Sequence, residues 1–388
     1  MPSPLEPLAN PPSLLGYHRQ LAPSAGVKVS PLCLGGMSLG TRWADFVGEC
    51  DEKASFEILD YFYSQGGNFI DTASNYQAGD SERIIGKWMK ERRLRDEIVL
   101  ATKYCAPWRY DEGRNIVQSN FGGMNAKALK HSLEDSLEKL QTSFIDVLYV
   151  HHWDHAAGIP EVMQALNDMV ARGKVLYLGI SNTPAWIVAK ANEYAKTHQL
   201  RQFVIYQGLW NAAKRDFERD IIPLARMDGM ALAPWGVLGQ GTFKTKAQRE
   251  ATNGKMRQAM IASAADQEMV IEKLEKIAER ESVSMQAIAL AYVFHKSPYV
   301  FPIVGSTKIE QIKGNIEALG IRLSREDLDE VDMATGKPFD LGWPNNVFTL
   351  PSKRDVSGSV MAKDLFANTL HWNGDEVPFA QPIQHGQH

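Results

Sequence analysis

Three short apolar runs of the chain each end in a residue able to carry charge. Asn68-Phe-Ile-Asp71 ends in a carboxylate, Ile98-Val-Leu-Ala-Thr-Lys103 in an ammonium, and Ile145-Asp-Val-Leu-Tyr-Val-His151 in an imidazole. Tyr76 follows Asp71 in the loop that leaves the first of these runs. A buried charge is costly unless paired, so three such residues at matching strand ends point to one shared site. The chemistry that suits them is proton transfer to or from a carbonyl oxygen. A phenol with a pKa of about 10 is a poor acid at neutral pH. A neighbouring ammonium favours phenolate and lowers that pKa. Tyr76 is therefore read as the proton donor and Lys103 as the group that lowers its pKa. Asp71 would hold Lys103, and His151 would orient the substrate oxygen.

Taken singly, each residue has an ordinary explanation: Asp71 as a turn former, Lys103 as a solvated strand end, His151 as a core histidine, Tyr76 as packing. Their joint types, order and strand-end positions favour the catalytic reading. His151 and His152 are adjacent, and strand alternation turns only one of them into the site.

Eight short apolar segments are predicted as strands: 29–34, 68–71, 98–103, 144–151, 175–181, 203–207, 230–234 and 300–304. Helical segments alternate with them, such as Ala126 to Leu140 with Leu129, Leu133, Leu137 and Leu140 at helical spacing. Apolar strands of this kind belong to a parallel sheet buried on both faces. Alternation fits a doubly wound sheet or a closed barrel. The first strand–helix junction, Leu34-Gly-Gly-Met-Ser-Leu-Gly40, lacks the glycine spacing of a dinucleotide-binding turn. The count and the missing fingerprint predict a (β/α)8 TIM barrel over residues 17–335, opened by an N-terminal β-hairpin. Residues 1–16 are expected to be a flexible arm, and 336–388 an irregular C-terminal extension packed on the barrel and frayed from Gln381 to His388. Residues 241–262 read as a polar insertion. The segment from Tyr104 to Asn125 is long for a plain connection. Trp43, Phe46, Trp108, Tyr110, Phe121 and Trp153 fall in loops at the same barrel end, as pocket walls or as loop anchors. The charged run from Glu268 to Glu281 reads as a solvated helix face.

The chain has 388 residues, 44% hydrophobic and 23% charged, with a net charge of −4. That balance argues against nucleic acid or an anionic membrane as partner. Cys33, Cys50 and Cys105 match neither a redox nor a zinc spacing. They are expected to be reduced thiols in a cytoplasmic protein, with no metal. The proline-rich N-terminus has no apolar signal core, and no apolar run reaches membrane-spanning length.

The set Asp71, Tyr76, Lys103 and His151 resembles the catalytic tetrad of the aldo-keto reductases. Further matching pieces are Gly179-Ile-Ser-Asn182, Tyr206-Gln-Gly-Leu-Trp-Asn211 and Pro302-Ile-Val-Gly-Ser-Thr-Lys308-Ile-Glu-Gln311-Ile-Lys-Gly-Asn315. Leu34-Gly-Gly-Met-Ser, Thr183-Pro-Ala-Trp and Ala233-Pro-Trp-Gly place the resemblance nearest the fungal NADP-dependent aryl-alcohol dehydrogenases. The resemblance implies metal-free hydride transfer between NADPH and the carbonyl of a small aryl aldehyde, in a monomer or weak homo-oligomer. It also implies roles by position. Ser181, Asn182 and Gln207 would bind the nicotinamide carboxamide. Trp235 would stack on that ring, where the family usually has tyrosine. Ser306 and Lys308 would hold the 2′-phosphate at a helix start, Gly305 would also contact the cofactor, and Gln311 and Asn315 would reach the adenosine. Two other roles fit the same resemblance: an aryl-ketone reductase of a biosynthetic pathway, and a regulatory subunit like the potassium-channel β subunits.

Overall fold

The computed structural model describes residues 9–244, 264–336, 339, 340 and 342. Strands β1 (Arg19–Ala22) and β2 (Ala25–Val29) form the expected antiparallel hairpin. Eight parallel strands follow: β3 (Cys33–Gly35), β4 (Phe69–Asp71), β5 (Val99–Tyr104), β6 (Ile145–Val150), β7 (Val175–Ser181), β8 (Phe203–Leu209), β9 (Ala231–Trp235) and β10 (Ile303–Gly305). They are ordered β10-β3-β4-β5-β6-β7-β8-β9. The two ends of that order meet at Leu232, whose N–H donates to the Tyr299 carbonyl at 2.9 Å and whose carbonyl accepts from Phe301 N–H at 2.8 Å. The sheet therefore comes round into a nearly closed (β/α)8 barrel, with helices between the strands.

Helices α1 (Ala44–Val47), α2 (Glu52–Ser64), α3 (Asp80–Arg92), α4 (Ala126–Lys139), α5 (Ile159–Ala171), α6 (Ala185–Thr197) and α7 (Ile221–Asp228) precede the insertion. After it come α8 (Ala264–Glu281), α9 (Met285–Lys296), α10 (Ile309–Glu317) and α11 (Arg325–Asp332). Side chains begin several of them. Asp51 accepts from Ala54 N–H, Asn125 from Ala128 N–H, and Ser324 with Asp327 closes a reciprocal capping box. The leucines that marked α4 are all buried.

Three expectations are corrected. The first barrel strand starts at Cys33 rather than Val29, because Val29 is spent pairing with Arg19 in the hairpin and Pro31 separates the two strands. The eighth starts at Ile303 rather than Val300. Pro302 has no N–H for a ladder, and Val300 contributes an isolated bridge to Leu232. The predicted arm is not free along its whole length: Ser13 caps a 3₁₀ turn at Leu14–Gly16, donates to the Gln65 carbonyl, and leaves Leu15 fully buried. Of the predicted insertion, residues 241–244 are described, with Phe243 buried, and the rest lies outside the described residues. So does most of the C-terminal extension, including Gln381 to His388. Where that extension begins, Arg219 donates to the Asp340 carbonyl, and the Phe339 ring lies against Arg215 and Arg219.

The hairpin covers the N-terminal end of the barrel. Leu21, Ala22 and Val29 pack on Phe69, Val99 and Phe301 from the barrel interior. Higher up, Tyr149 crosses the interior against Gly179. A Cβ at Gly179 would lie 2.4 Å from the Tyr149 ring. At the N-terminal end, Arg95 ties β5 to β6. It donates to the carbonyls of Ile98 and Phe144 and pairs with Asp146 at 2.8 Å. Asp146 also accepts from Leu100 N–H. Both partners are largely buried, so Arg95→Ala strands a carboxylate. The expected loss of stability is about 3–5 kcal/mol. Urea unfolding measures it, with turnover per folded molecule little changed because the pair lies at the barrel end away from Lys103.

Candidate active site

Lys103, near the C-terminal end of β5, has no exposed surface. Its ammonium donates to Asp71 Oδ1 at 2.5 Å and to the Thr72 carbonyl at 2.8 Å, and lies 3.3 Å from the Tyr76 hydroxyl. Three donors meet three oxygens, which is how a fully buried ammonium is tolerated. The parallel register delivers this: Asp71 lies beside Ala101, and the chain after β4 stays on β5 through Thr72 N–H to the Ala101 carbonyl and Ser74 N–H to the Lys103 carbonyl. The second Asp71 oxygen accepts from Gln207 Nε2 at 2.9 Å. His151, one residue past β6, meets the Tyr76 ring edge-on with centroids 5.8 Å apart. His152 turns away and contacts Cys105. The four expected residues therefore converge, and His151 is the histidine that faces the tyrosine.

Burial works against every charge here. It depresses Lys103, but Asp71 and Tyr76 outweigh it and hold the lysine above its ordinary value. Burial raises Asp71, with Lys103 and then Gln207 opposing. Burial, then the Lys103 and His152 charges, push His151 well below the usual imidazole range, so its ring is neutral at physiological pH. Its Nδ1 is buried without a partner. For Tyr76 the expectation is corrected. Burial first, with the Asp71 charge adding to it, raises the phenol more than Lys103 lowers it, so the net shift is upward. The hydroxyl holds its proton, as a donor must.

The turn after Tyr76 carries a feature the sequence did not announce. Gln77 and Ala78 both have φ of 53° and ψ of 36°, and Gly79 follows with φ of 87°. Two consecutive left-handed side-chain-bearing residues cost roughly 1–3 kcal/mol each. The Gln77 carboxamide, fully buried, offsets this by donating to the Met37 carbonyl at 2.9 Å and accepting from Trp43 N–H at 2.7 Å. Its adjacency to Tyr76 was the one available signal. The loop aromatics divide. Trp108 and Phe121 pack edge-on at 5.5 Å and Trp153 is buried, which makes them anchors. Trp43 stands edge-on to Tyr76 at 6.1 Å.

The residues expected to hold a dinucleotide form two groups. Around β7 to β9, Asn182 donates to Ser181 Oγ and to the His151 carbonyl, and its Oδ1 accepts from Trp235 Nε1 at 3.2 Å. Gln207 is engaged with Asp71. At the end of β10 Gly305 is exposed; beyond it Ser306 is buried, and Lys308 is the exposed residue that opens α10. Gln311 accepts from Thr307 N–H across the same turn. Ser306 Oγ and Asn315 Nδ2 are buried without a partner. Orphaned buried polar atoms are rare. Ser306 stands just before a helix N-terminus and a lysine, which suits an anionic group, and Asn315 lies nearly two turns along the same helix, so the two fit a site for a large anionic polar ligand. Among the described residues no His, Cys, Asp or Glu cluster is placed to hold a metal ion. No described helix is long and apolar enough to cross a membrane, and the three cysteines are free and buried.

The sequence model of the aldo/keto reductase family matches residues 31–335. Among curated relatives, norsolorinic acid reductase B of Dothistroma septosporum is 54% identical over 92% of this chain and 91% of its own length. Norsolorinic acid reductase A of Aspergillus parasiticus is 48% identical over 96% and 95%. An aryl-alcohol dehydrogenase [NADP(+)] of Phanerodontia chrysosporium is 45% identical over 88% and 91%.

Proposed function

The chain belongs to the aldo/keto reductase family, and on that premise we propose that it is an NADP(H)-dependent oxidoreductase interconverting aryl aldehydes and aryl alcohols, with Tyr76 as general acid and base. The observation that carries this reading is the buried Lys103 ammonium shared between Asp71 and Tyr76. When bound, the nicotinamide dinucleotide supplies hydride to the carbonyl carbon, or accepts it in the reverse direction. Tyr76 gives its proton to the carbonyl oxygen, and Lys103 beside it stabilises the phenolate left behind. Asp71 fixes Lys103, and Gln207 fixes Asp71. Neutral His151 stands against Tyr76, where it orients the same oxygen. Trp43 and Trp235 supply aromatic surface near that point.

Ser181, Asn182, Gln207 and Trp235 would hold the nicotinamide end of the dinucleotide. Gly305, Ser306, Lys308, Gln311 and Asn315 would hold the adenosine end with its 2′-phosphate. The orphaned Ser306 Oγ and Asn315 Nδ2 support this placement. Ser306→Ala and Asn315→Ala are each expected to raise the NADPH dissociation constant about three- to tenfold, the worth of one hydrogen bond. Quenching of protein fluorescence by NADPH measures it.

The direct test of function is an initial-rate panel of benzaldehydes, aliphatic aldehydes, aryl ketones and norsolorinic acid, each with NADPH and with NADH. Highest kcat/KM for benzaldehydes with NADPH is the expected result, and equal rates for aliphatic aldehydes sink the aryl assignment. A second reading, reduction of an aryl ketone on a biosynthetic route, is favoured by the relatives named norsolorinic acid reductase at 48% and 54% identity. Turnover of norsolorinic acid or an aryl ketone well above that of any benzaldehyde selects it.

A further inference from the structure

Two loops from different parts of the chain meet above Tyr76. One runs from Gly40 to Cys50 and is pinned at its base, where Gly40 N–H donates to the Cys50 carbonyl at 2.8 Å and Cys50 N–H returns to Gly40 at 3.3 Å. Trp43 lies in this loop, directly before α1. The other runs from β5 to α4 and includes Tyr110, at the start of a 3₁₀ segment Tyr110–Asn115. The Trp43 indole Nε1 donates to the Tyr110 hydroxyl at 2.8 Å. The same indole stands edge-on to Tyr76. One side chain thus touches the candidate proton donor and ties the two loops together.

Gln77 sets where that indole stands. Its carboxamide grips Trp43 in the first loop and Met37 just before that loop begins. The loop lies so close that a Cβ at Gly40, where φ is +130°, would fall 2.9 Å from the Gln77 side chain. The left-handed turn at Gln77 and Ala78 aims the carboxamide at this loop. The Gln77 side chain is fully buried and its two hydrogen bonds are part-buried, whereas the Trp43–Tyr110 hydrogen bond is exposed and Tyr110 itself is 41% exposed. A solvated hydrogen bond is weak enough to open and close readily. The wall over Tyr76 is therefore fixed at its root and releasable at its tip.

We propose that Trp43 and Tyr110 form a clasp across the barrel mouth that limits the size of the aryl group admitted over Tyr76, with Gln77 as the positioning residue that holds Trp43 in place. The proposal rests on the reading of Tyr76 as the reacting hydroxyl. On this proposal a single ring is admitted with the clasp closed, and a fused polycyclic system only with it open. Releasing the clasp therefore favours large aryl groups selectively.

The test uses the full chain saturated with NADP⁺ and two probes, benzoate and 1-pyrenecarboxylate, with dissociation constants from calorimetry. Tyr110→Phe keeps the ring and removes the hydrogen-bond acceptor. It is expected to shift the ratio of the two constants about three- to tenfold toward the pyrene probe. Gln77→Ala is expected to shift it in the same direction. The second readout is the ¹⁵N-labelled indole N–H resonance of Trp43, identified by its loss in Trp43→Phe. It is expected to move in Tyr110→Phe. A ratio unchanged within about twofold, binding of neither probe, or an unmoved indole resonance overturns the clasp. Neither readout needs turnover. Near-normal activity in Tyr76→Phe would remove the mechanistic reading, while a shifted ratio and a moved resonance would still support the clasp.

Discussion

Tyr76→Phe is expected to lower kcat for carbonyl reduction about 10²- to 10⁴-fold, the usual contribution of a positioned general acid. The substitution removes one oxygen. Lys103 loses the longest of its three contacts and keeps Asp71 and the Thr72 carbonyl, so the fold and the NADPH dissociation constant are expected to hold. Steady-state oxidation of NADPH measures the first quantity and fluorescence titration the second. The raised Tyr76 pKa gives the wild-type protein a matching pH signature. Reduction needs the protonated phenol, so kcat/KM for reduction stays flat through neutral pH and falls only above the ordinary phenol range of about 10. A decline between pH 6 and 8 would place the proton on another group. Near-wild-type turnover in the phenylalanine variant would end the assignment outright.

Lys103→Met is expected to damage stability as well as chemistry. Asp71 is buried and has two partners, Lys103 and Gln207. Without the ammonium a single carboxamide faces a buried carboxylate, and breaking such a pair costs about 3–5 kcal/mol. The sign of the pH dependence follows. Lys103 is the largest influence holding Asp71 down against burial, so its removal raises the folded-state pKa of Asp71 further above the unfolded value of about 3.9. A carboxyl raised on folding binds more protons folded than unfolded, so its contribution to stability falls as pH rises through that window. The variant is thus expected to resist urea better near pH 5 than near pH 8. Asp71→Asn in the same background is expected to recover much of the loss at pH 8, because it removes the stranded charge. Equal stability of Lys103→Met at both pH values would show that Asp71 does not carry the cost.

The barrel and the core of the site were legible because their signals are local. Strand and helix periodicity gave the count of eight. Asp71, Lys103 and His151 announced themselves as ionisable residues at the ends of apolar runs. What stayed hidden depends on tertiary neighbours. The hydrogen bond from Gln207 to Asp71 joins residues on β8 and β4, and no spacing encodes it. The direction of the Tyr76 shift was misread because a sequence displays the charge of Lys103 but not the desolvation that outweighs it. The left-handed geometry of Gln77 and Ala78 is carried by residue types that seldom adopt it. The first and last barrel strands were drawn too long because apolar residues continue past Pro31 and Pro302, where the barrel ladder does not: Val29 pairs in the hairpin and Val300 makes only an isolated bridge.

Gly179 and Tyr149 bear on how this chain can change over generations. The glycine is an ordinary strand residue made indispensable by its neighbour, since any side chain there would run into the tyrosine ring. The tyrosine in turn fills space that exists because the glycine has none. A lineage can alter the pair by shrinking the aromatic first and enlarging the glycine afterwards. The opposite order passes through an intermediate with two groups in one volume, so the two positions are expected to change together, the aromatic before the glycine.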